Sequence, residues 1–212
     1  MMRNKLLFIS ILLFWGFVNQ AFSQKEYYGN EANKILNGCD IVRTHSYSEI
    51  PSYMRFRPEY QLPVDKLNDL LYQKLMISPL LSYAKVSEII DNRDELHVRY
   101  VQTYQNMPIR DAVFIVHIKN NKITSINGTL LKKFNALNSS ILSEEQALQS
   151  ALTYVNAQRY KWQMKEEEAL LKKETNNSEA SYYPKGKLEY LRKPQSDNYV
   201  LAYKFDIYAD KP

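Results

Sequence analysis

The sequence has three histidines, which are the side chains best suited to hold a metal ion. His97 and His117 stand in two hydrophobic runs expected to pair as neighbouring strands, so their rings could approach each other as a pair of metal ligands would. No third ligand follows from the spacing, and His45 is distant in sequence from both. Two histidines on adjacent strands more often make ordinary sheet contacts, so we predict no metal site and no cofactor.

Cys39 is the only cysteine of the chain, which excludes an internal disulfide. A thiol nucleophile needs an adjacent base and a group that binds an oxyanion. The histidine nearest in sequence is His45, and no oxyanion motif surrounds Cys39. We therefore expect a structural or incidental cysteine, which in an oxidising compartment could also pair between two chains. The adjacent carboxylates at 144–145 and 166–168 are typical of helix surfaces rather than of an acid–base pair.

The composition excludes several classes of protein. Five glycines are few, and neither G-x-G-x-x-G nor G-x-x-x-x-G-K-[ST] occurs, so no nucleotide-binding site is expected. Hydrophobic residues make up 45% and charged residues 24%, the balance of a chain that buries a core. Tyrosine, with 17 copies, favours half-exposed β-sheets that carry a contact surface. These features predict a binding protein rather than a self-sufficient enzyme.

Residues 1–23 have the pattern of a secretory signal peptide. Arg3 and Lys5 precede an apolar run, and small residues ending at Ser23 form a cleavage site. The run is shorter than the ~20 apolar residues of a spanning helix, so no stable membrane anchor is expected. Cleavage before Gln24 lowers the formal charge from +5 to +3. With acidic and basic residues interleaved, this charge predicts no nucleic-acid binding, and the mature chain is expected to be secreted or periplasmic.

Residues 24–134 are predicted to form a first domain with one helix and a three-stranded meander. The stretch up to about Pro63 has a weak pattern and is expected to be extended. Asp65 can cap a helix that runs to Ile77 and has leucines on one face, namely Leu67, Leu70, Leu71 and Leu75. The predicted strands are His97–Tyr104, Asp111–Ile118 and Ile123–Asn127, joined by polar turns at 105–108 and 120–122.

Residues 143–212 are predicted to form a second domain after a linker at 135–142. Ser143 and Gln146 make a capping box, which starts a helix with a buried stripe of Ala147, Leu148, Ala151, Leu152 and Val155. A charged helix at Met164–Glu174 and strands at Lys187–Arg192 and Tyr199–Tyr208 follow, and we expect the domain to be truncated at its C-terminal end. The predicted fold class is α+β, with two small domains that each pack a helix on an antiparallel β-sheet.

The stretch HVRYVQTYQNMPIRDAVFIVHIKNNKITSING, residues 97–128, resembles the core of the fungalysin/thermolysin propeptide domain. The residues that fall at positions typical of that family are Arg99, Tyr100, Gln102, Tyr104, Pro108, His117, Asn127 and Gly128. Asn106 stands where glycine is usual in the first turn. Because asparagine tolerates a left-handed backbone, the turn is expected to persist.

The segments LSEEQALQSALTYV, YPKGKLEYL and LAYKFDIYA resemble a PepSY domain. The order of signal peptide, propeptide domain and PepSY domain is similar to the pro-region of secreted thermolysin-like zinc metalloproteases of Bacteroidetes type. The H-E-x-x-H motif of such enzymes does not occur, so we expect the catalytic domain to be absent and the chain not to be an enzyme. The resemblance implies inhibition of a protease during export and assistance to its folding.

The partner that the resemblance implies is the catalytic domain of a cognate metalloprotease, acting in cis in a parent protein or in trans. A free-standing secreted protease inhibitor and a surface binding module acting in trans are alternatives. We predict that the contact surface is a face of the sheet, with Tyr100, Tyr104, Phe114, Val116 and His117 as interface residues and no catalytic or metal-binding residue. Burial of both faces of this sheet within the chain is an equally open alternative.

Overall fold

The computed structural model describes residues 24–46, 48–60, 62–137 and 142–211. The predicted signal peptide and the centre of the predicted linker, 138–141, lie outside these ranges. Within them, no helix is both long enough and apolar enough to cross a membrane.

The first part of the described chain consists mainly of strands. Its elements are β1 (Gln24–Tyr28), α1 (Gly29–Ile35), β2 (Cys39–His45), β3 (Tyr53–Phe56), short 3-10 turns at Pro58–Tyr60 and Val64–Lys66, a π-helix at Asp69–Lys74, β4 (Leu81–Ile90), β5 (Leu96–Tyr104), β6 (Met107–Lys119) and β7 (Lys122–Gly128). The stretch before Pro63, which we expected to be extended, thus also contains a short helix.

The second part mixes helices and strands. Its elements are β8 (Asn135–Ala136), α2 (Glu144–Val155), β9 (Arg159–Tyr160), a 3-10 turn at Lys161–Gln163, α3 (Lys165–Glu174), β10 (Lys187–Arg192), β11 (Asn198–Lys204) and β12 (Ala209–Lys211). The predicted α+β class is confirmed.

The long strand β6 joins the two parts of the chain. One of its edges pairs antiparallel with β5, with His117 directly opposite His97. Its other edge pairs antiparallel with β7, and at Ile109 it pairs in parallel with Tyr190 of β10. Strands from both sides of the predicted linker therefore belong to one ten-stranded sheet, rather than to one sheet for each part.

The two turns of the meander β5–β6–β7 are tight two-residue turns. Gln105 and Asn106 have φ of 49° and 65°, and Asn120 and Asn121 have φ of 49° and 58°. Positive φ at both central residues is the mark of turns whose twist matches that of paired strands. Asn106 thus replaces the expected glycine without loss of the turn. Residues 107 and 108, predicted to lie in the turn, instead begin β6.

The leucine-rich helical segment covers residues 64–74 and packs on the sheet. The four leucines predicted to share one face, three within this segment and Leu75 directly after it, are buried in the same core as Phe114 and Val116 of β6. The amide of Leu75 donates to the carbonyl of Leu70 five residues earlier, which closes the π-helix. The prediction that Asp65 caps this segment was wrong, because the segment begins at Val64 and Pro63 occupies the cap position.

Helix α2 begins at the predicted capping box. The amide of Gln146 donates to the Ser143 hydroxyl over 3.2 Å, and the Gln146 side chain accepts from the Ser143 amide over 3.1 Å. Of the predicted buried stripe only Leu148 is buried, since Ala147, Ala151 and Leu152 are partly exposed and Val155 is 38% exposed. The predicted last strand also divides, because β11 ends at Lys204 and β12 pairs with β9 instead.

Four aromatic rings pack the second part of the chain against the first. The ring of Phe134 lies 4.8 Å from Tyr104, 4.9 Å from Tyr190 and 4.7 Å from Tyr199 between centroids. Tyr190 and Tyr199 are each 6% exposed. This aromatic junction adds hydrophobic burial to the short pairing of β6 with β10.

Gly128 ends β7 in a conformation that only glycine adopts readily, with φ of +126°. A Cβ atom there would lie 2.4 Å from the carbonyl oxygen of Val113. Because that oxygen belongs to the main chain, no change of rotamer can relieve the clash. We predict that Gly128→Ala lowers the free energy of unfolding by about 2–4 kcal/mol through backbone strain and this clash, measured by urea denaturation.

Gly29→Ala is the matched control for this prediction. Gly29 also has a positive φ, +55°, but a Cβ there would meet no heavy atom within 4 Å. Its loss of stability is expected to be about 1–2 kcal/mol, the ordinary cost of a left-handed residue. Equal losses in the two variants would contradict the role assigned to the close approach at Gly128.

Candidate functional site

Strand β6 separates a buried face of the sheet from an outer face. Successive side chains of a strand point to opposite faces. Ala112, Phe114 and Val116 point inward and have no exposed area. Val113 and Ile115 alternate with them and are only partly buried. The surface that β6 offers to a partner is therefore the face that carries these two residues.

We call this surface the outer face and define it by side chains of β5, β6 and β7 that point away from the core: Arg99, Val113, Ile115, His117 and Asn127. Arg99 is paired with Ile115, and Ile115 with Asn127, so the side chains form a row across three strands. An open groove of about 480 Å³ lies over part of this row.

The groove has an apolar floor and a charged rim. Val113 and Ile115 form the floor, and Arg99, Arg110 and Asp111 contribute to the rim. Apolar side chains beside arginines are typical of protein interfaces, because arginine combines an apolar stem with a fork of hydrogen-bond donors. The groove is therefore suited to bind a polypeptide surface.

The predicted interface residues are divided between the two faces. Phe114 stacks on Tyr100 with ring centroids 5.3 Å apart, and Tyr104 belongs to the aromatic junction. Phe114 and Val116 were assigned to the wrong face, because their side chains are fully buried in the chain's own core and offer no surface. His117 lies on the outer face, and its contact with a partner stays a prediction.

His97 and His117 form the closest pair of titratable groups on the outer face. Their Nδ1 atoms are 2.6 Å apart and their rings are nearly perpendicular, at 78°. The Nε2 atom of His97 lies 3.4 Å from a carboxylate oxygen of Asp91, and that of His117 lies 2.5 Å from the side-chain oxygen Oδ1 of Asn127. The predicted approach of the two rings is thus observed.

A third group that could hold a metal, which we did not predict, is Glu95. One of its carboxylate oxygens and one ring nitrogen of each histidine lie within 4.8 Å of one another. Glu95 stands two residues before His97, in the turn that ends directly before β5. The spacing of two residues was the only signal in the sequence, and it was not recognised because Glu95 lies outside the strand, where alternation does not predict the direction of a side chain.

Asp91 is held ionised beside this cluster. The backbone amides of Glu95 and Arg93 donate to its carboxylate over 3.0 and 2.8 Å, and with the contact from His97 they hold the pKa of Asp91 well below its usual range. The carboxylate therefore stays negatively charged throughout the neutral range and presents a fixed acceptor to His97.

Cys39 is not placed for catalysis. Its side chain is fully buried, and burial raises the pKa of the thiol to about 12. His45 stands at the other end of β2, roughly 20 Å away at the usual rise per strand residue. A neutral, buried thiol without a neighbouring base fits the predicted structural role.

Comparison with known protein families finds one similarity, which covers part of the chain. Residues 83–130 match the family described as Fungalysin/Thermolysin Propeptide Motif. The matched segment contains most of β4 and all of β5, β6 and β7, which carry the outer face. The match supports a metalloprotease propeptide, a class of domain that acts with a protease catalytic domain. A search of curated proteins finds no significant match to the chain.

The burial of Cys39 predicts that its thiol is unreactive in the folded chain. At pH 8 an alkylating reagent should label it at least about 100-fold more slowly in buffer than in denaturant. In the folded chain the thiol is protonated and the reagent cannot reach it. The free energy of unfolding should fall as pH rises above about 8.5, since the unfolded chain then releases a proton that the folded chain keeps up to about pH 12.

Mass spectrometry of the alkylated peptide follows this labelling, and Cys39→Ala serves as the blank. Fast labelling without denaturant, at a rate like that of a free thiol, would contradict the assignment of Cys39 to the core.

Proposed function

We propose that the chain is the inhibitory and folding-assisting propeptide region of an exported zinc metalloprotease. The observation that carries this proposal is the match of residues 83–130 to the propeptide family. The matched strands form the structural centre of the chain and its outer face, so the similarity falls on the part best suited to contact a partner.

The proposed contact is between the groove of the outer face and the catalytic domain of the protease. Ile115 and Val113 would supply apolar contact, and the rim arginines would pair with acidic or carbonyl groups of the partner. A propeptide joined to its enzyme has an effective concentration on the order of mM, so a modest affinity suffices for inhibition. Cleavage of the connection would then release the enzyme.

Assistance to folding follows from the same contact. Secreted proteases often persist because they unfold slowly rather than because their folded state is strongly favoured. A partner that binds structure formed in the folding transition state lowers the barrier to folding. The broad sheet β5–β6–β7 would offer such a partner a preformed template.

The remaining parts of the proposal concern export and the second domain. Residues 1–23 would direct the chain out of the cytoplasm, to the periplasm or the exterior, and residues 143–212 would be a PepSY domain after the linker at 135–142. The capping box of α2 and the pair β10–β11 support the second assignment, since they lie in the segments that resemble that domain. The source would be a Bacteroidetes-type thermolysin-like protease.

The proposal predicts inhibition that depends on the outer face. Residues 24–212 should slow casein hydrolysis by a thermolysin-like zinc protease from the same organism at micromolar concentration. Ile115→Asp should raise the inhibition constant about tenfold or more, because a carboxylate in the apolar floor must be desolvated on binding. The inhibition constant is measured by titration at fixed substrate concentration, after circular dichroism has confirmed the fold.

Leu170→Asp is the matched control, because Leu170 is 48% exposed on α3 and lies outside the outer face. This variant should inhibit like the unmodified chain. A fusion of the chain to the catalytic domain tests the linked form. Full activity both in the fusion and with the separate chain would contradict the proposed function, and equal weakening by both substitutions would contradict the proposed surface.

A further inference from the structure

The outer nitrogen of each ring in the histidine pair faces an oxygen acceptor. His97 Nε2 faces the carboxylate of Asp91 at 3.4 Å, and His117 Nε2 faces the side-chain oxygen Oδ1 of Asn127 at 2.5 Å. Each contact is satisfied when Nε2 carries the ring proton. Histidines that bind metals show this arrangement, in which an outer acceptor fixes the tautomer and orients the other nitrogen toward the ion.

The inner nitrogens then present lone pairs to each other. With both ring protons on Nε2, the two Nδ1 atoms face each other at 2.6 Å, where lone pairs repel. The separation is that of a hydrogen bond, so without a metal ion one ring carries its proton on Nδ1 and donates it to the other ring. A metal ion would use the lone pairs of both Nδ1 atoms as ligands when both ring protons are on Nε2.

Glu95 supplies a third ligand beside this pair. Its Oε1 atom accepts a hydrogen bond from the Thr124 hydroxyl of β7 over 2.6 Å, which holds the carboxylate on the outer face. A carboxylate can bind a cation through one oxygen while the other keeps a hydrogen bond. Two imidazoles and one carboxylate form a ligand set found in zinc sites that keep a fourth position open.

We propose that His97, His117 and Glu95 form a binding site for a divalent transition-metal ion such as Zn²⁺, with both histidines ligating through Nδ1. For the ion to bind, the ring that carries its proton on Nδ1 takes the tautomer with the proton on Nε2, which frees the second lone pair. This site is distinct from the catalytic zinc of a protease, and the proposal does not depend on the proposed function. It replaces our prediction that the two histidines make only a sheet contact.

The distances and charges fit a metal ion after small side-chain shifts. Ligand atoms around tetrahedral zinc lie about 3.3 Å apart, so the nitrogens must separate slightly and the carboxylate must move inward. Rotation of the Glu95 side chain accomplishes the second change. Glu95 and Asp91 provide two negative charges near a divalent ion, and His97 is 18% exposed, which leaves a path from solvent.

A metal ion at this site would connect β5, β6 and the segment that carries Glu95. His97 and His117 belong to the paired strands β5 and β6, while Glu95 follows the turn from β4 and contacts β7 through Thr124. A bound ion would therefore resist separation of β5 from β6 beside the groove of the outer face. Because only the folded chain brings the ligands together, binding would stabilise the fold.

The test is calorimetric titration of Zn²⁺ into tag-free residues 24–212 at pH 7.5, after treatment with a chelator. We expect one site with a Kd on the order of micromolar or tighter. Glu95→Gln removes the charged ligand with little change in shape and should weaken binding about tenfold or more, as should His117→Ala. Zinc should raise the melting temperature of the unmodified chain by several degrees, and that of Glu95→Gln by less.

His45→Ala is the control, because His45 lies on β2, away from the cluster, and should leave zinc binding unchanged. Circular dichroism establishes that each variant is folded before titration, and Glu95→Gln provides the decisive comparison if His117→Ala fails to fold. Absence of saturable zinc binding by the unmodified chain would overturn the proposal, and so would equal affinity in folded Glu95→Gln. The two histidines would then make only a hydrogen bond between neighbouring strands.

Discussion

The pairing of β6 along both of its edges is the constraint on which the rest of the structure depends. Its thirteen residues pair with β5 on one side and with β7 and then β10 on the other. A strand paired in this way cannot slip in register without moving every side chain to the wrong face. The core, the outer face and the connection to the second part of the chain are therefore fixed together.

Alternate side chains of β6 point to opposite faces of the sheet, so one set stabilises the core and the other set is available for binding. The inward residues pack against the leucines of the helical segment at 64–74, and the outward residues carry the groove and one of the two facing histidines. Buried Gln102 fixes the position of the chain after β7. Its side-chain amide donates to the main-chain carbonyl of Leu131 and accepts from the main-chain amide of Leu131. Because these contacts all lie on the inner side of the sheet, the outer face is left available to a partner.

The features predicted from sequence were those with a strong local signal. Alternating apolar residues gave the meander, and Ser143 with Gln146 gave the start of α2. Strand β4 was missed because it lies at an edge of the sheet and is largely exposed, so it lacks a regular apolar pattern. Helix α1 has seven residues and buries only Ala32, which is too little for a recognisable stripe.

The candidate site was harder to predict because it depends on contacts between distant residues. The pairing of His97 with His117 followed from the meander, but the position of Glu95 depends on where β5 begins, and that of Asn127 depends on register. The apolar run in β6 also could not show which of its faces was inward. That ambiguity placed Phe114 and Val116 in the predicted interface, and the packing of the helical segment resolves it.

The central claim, that this chain binds a metalloprotease catalytic domain, is tested most directly by the affinity between the two. The dissociation constant would be measured by calorimetry with residues 24–212 and the isolated catalytic domain of a thermolysin-like protease from the same organism. The account predicts a saturable one-to-one complex with a Kd well below the effective concentration of a linked pair, which is on the order of mM. Absence of saturable binding up to about 1 mM would contradict it, because even a tethered chain would then leave the enzyme free.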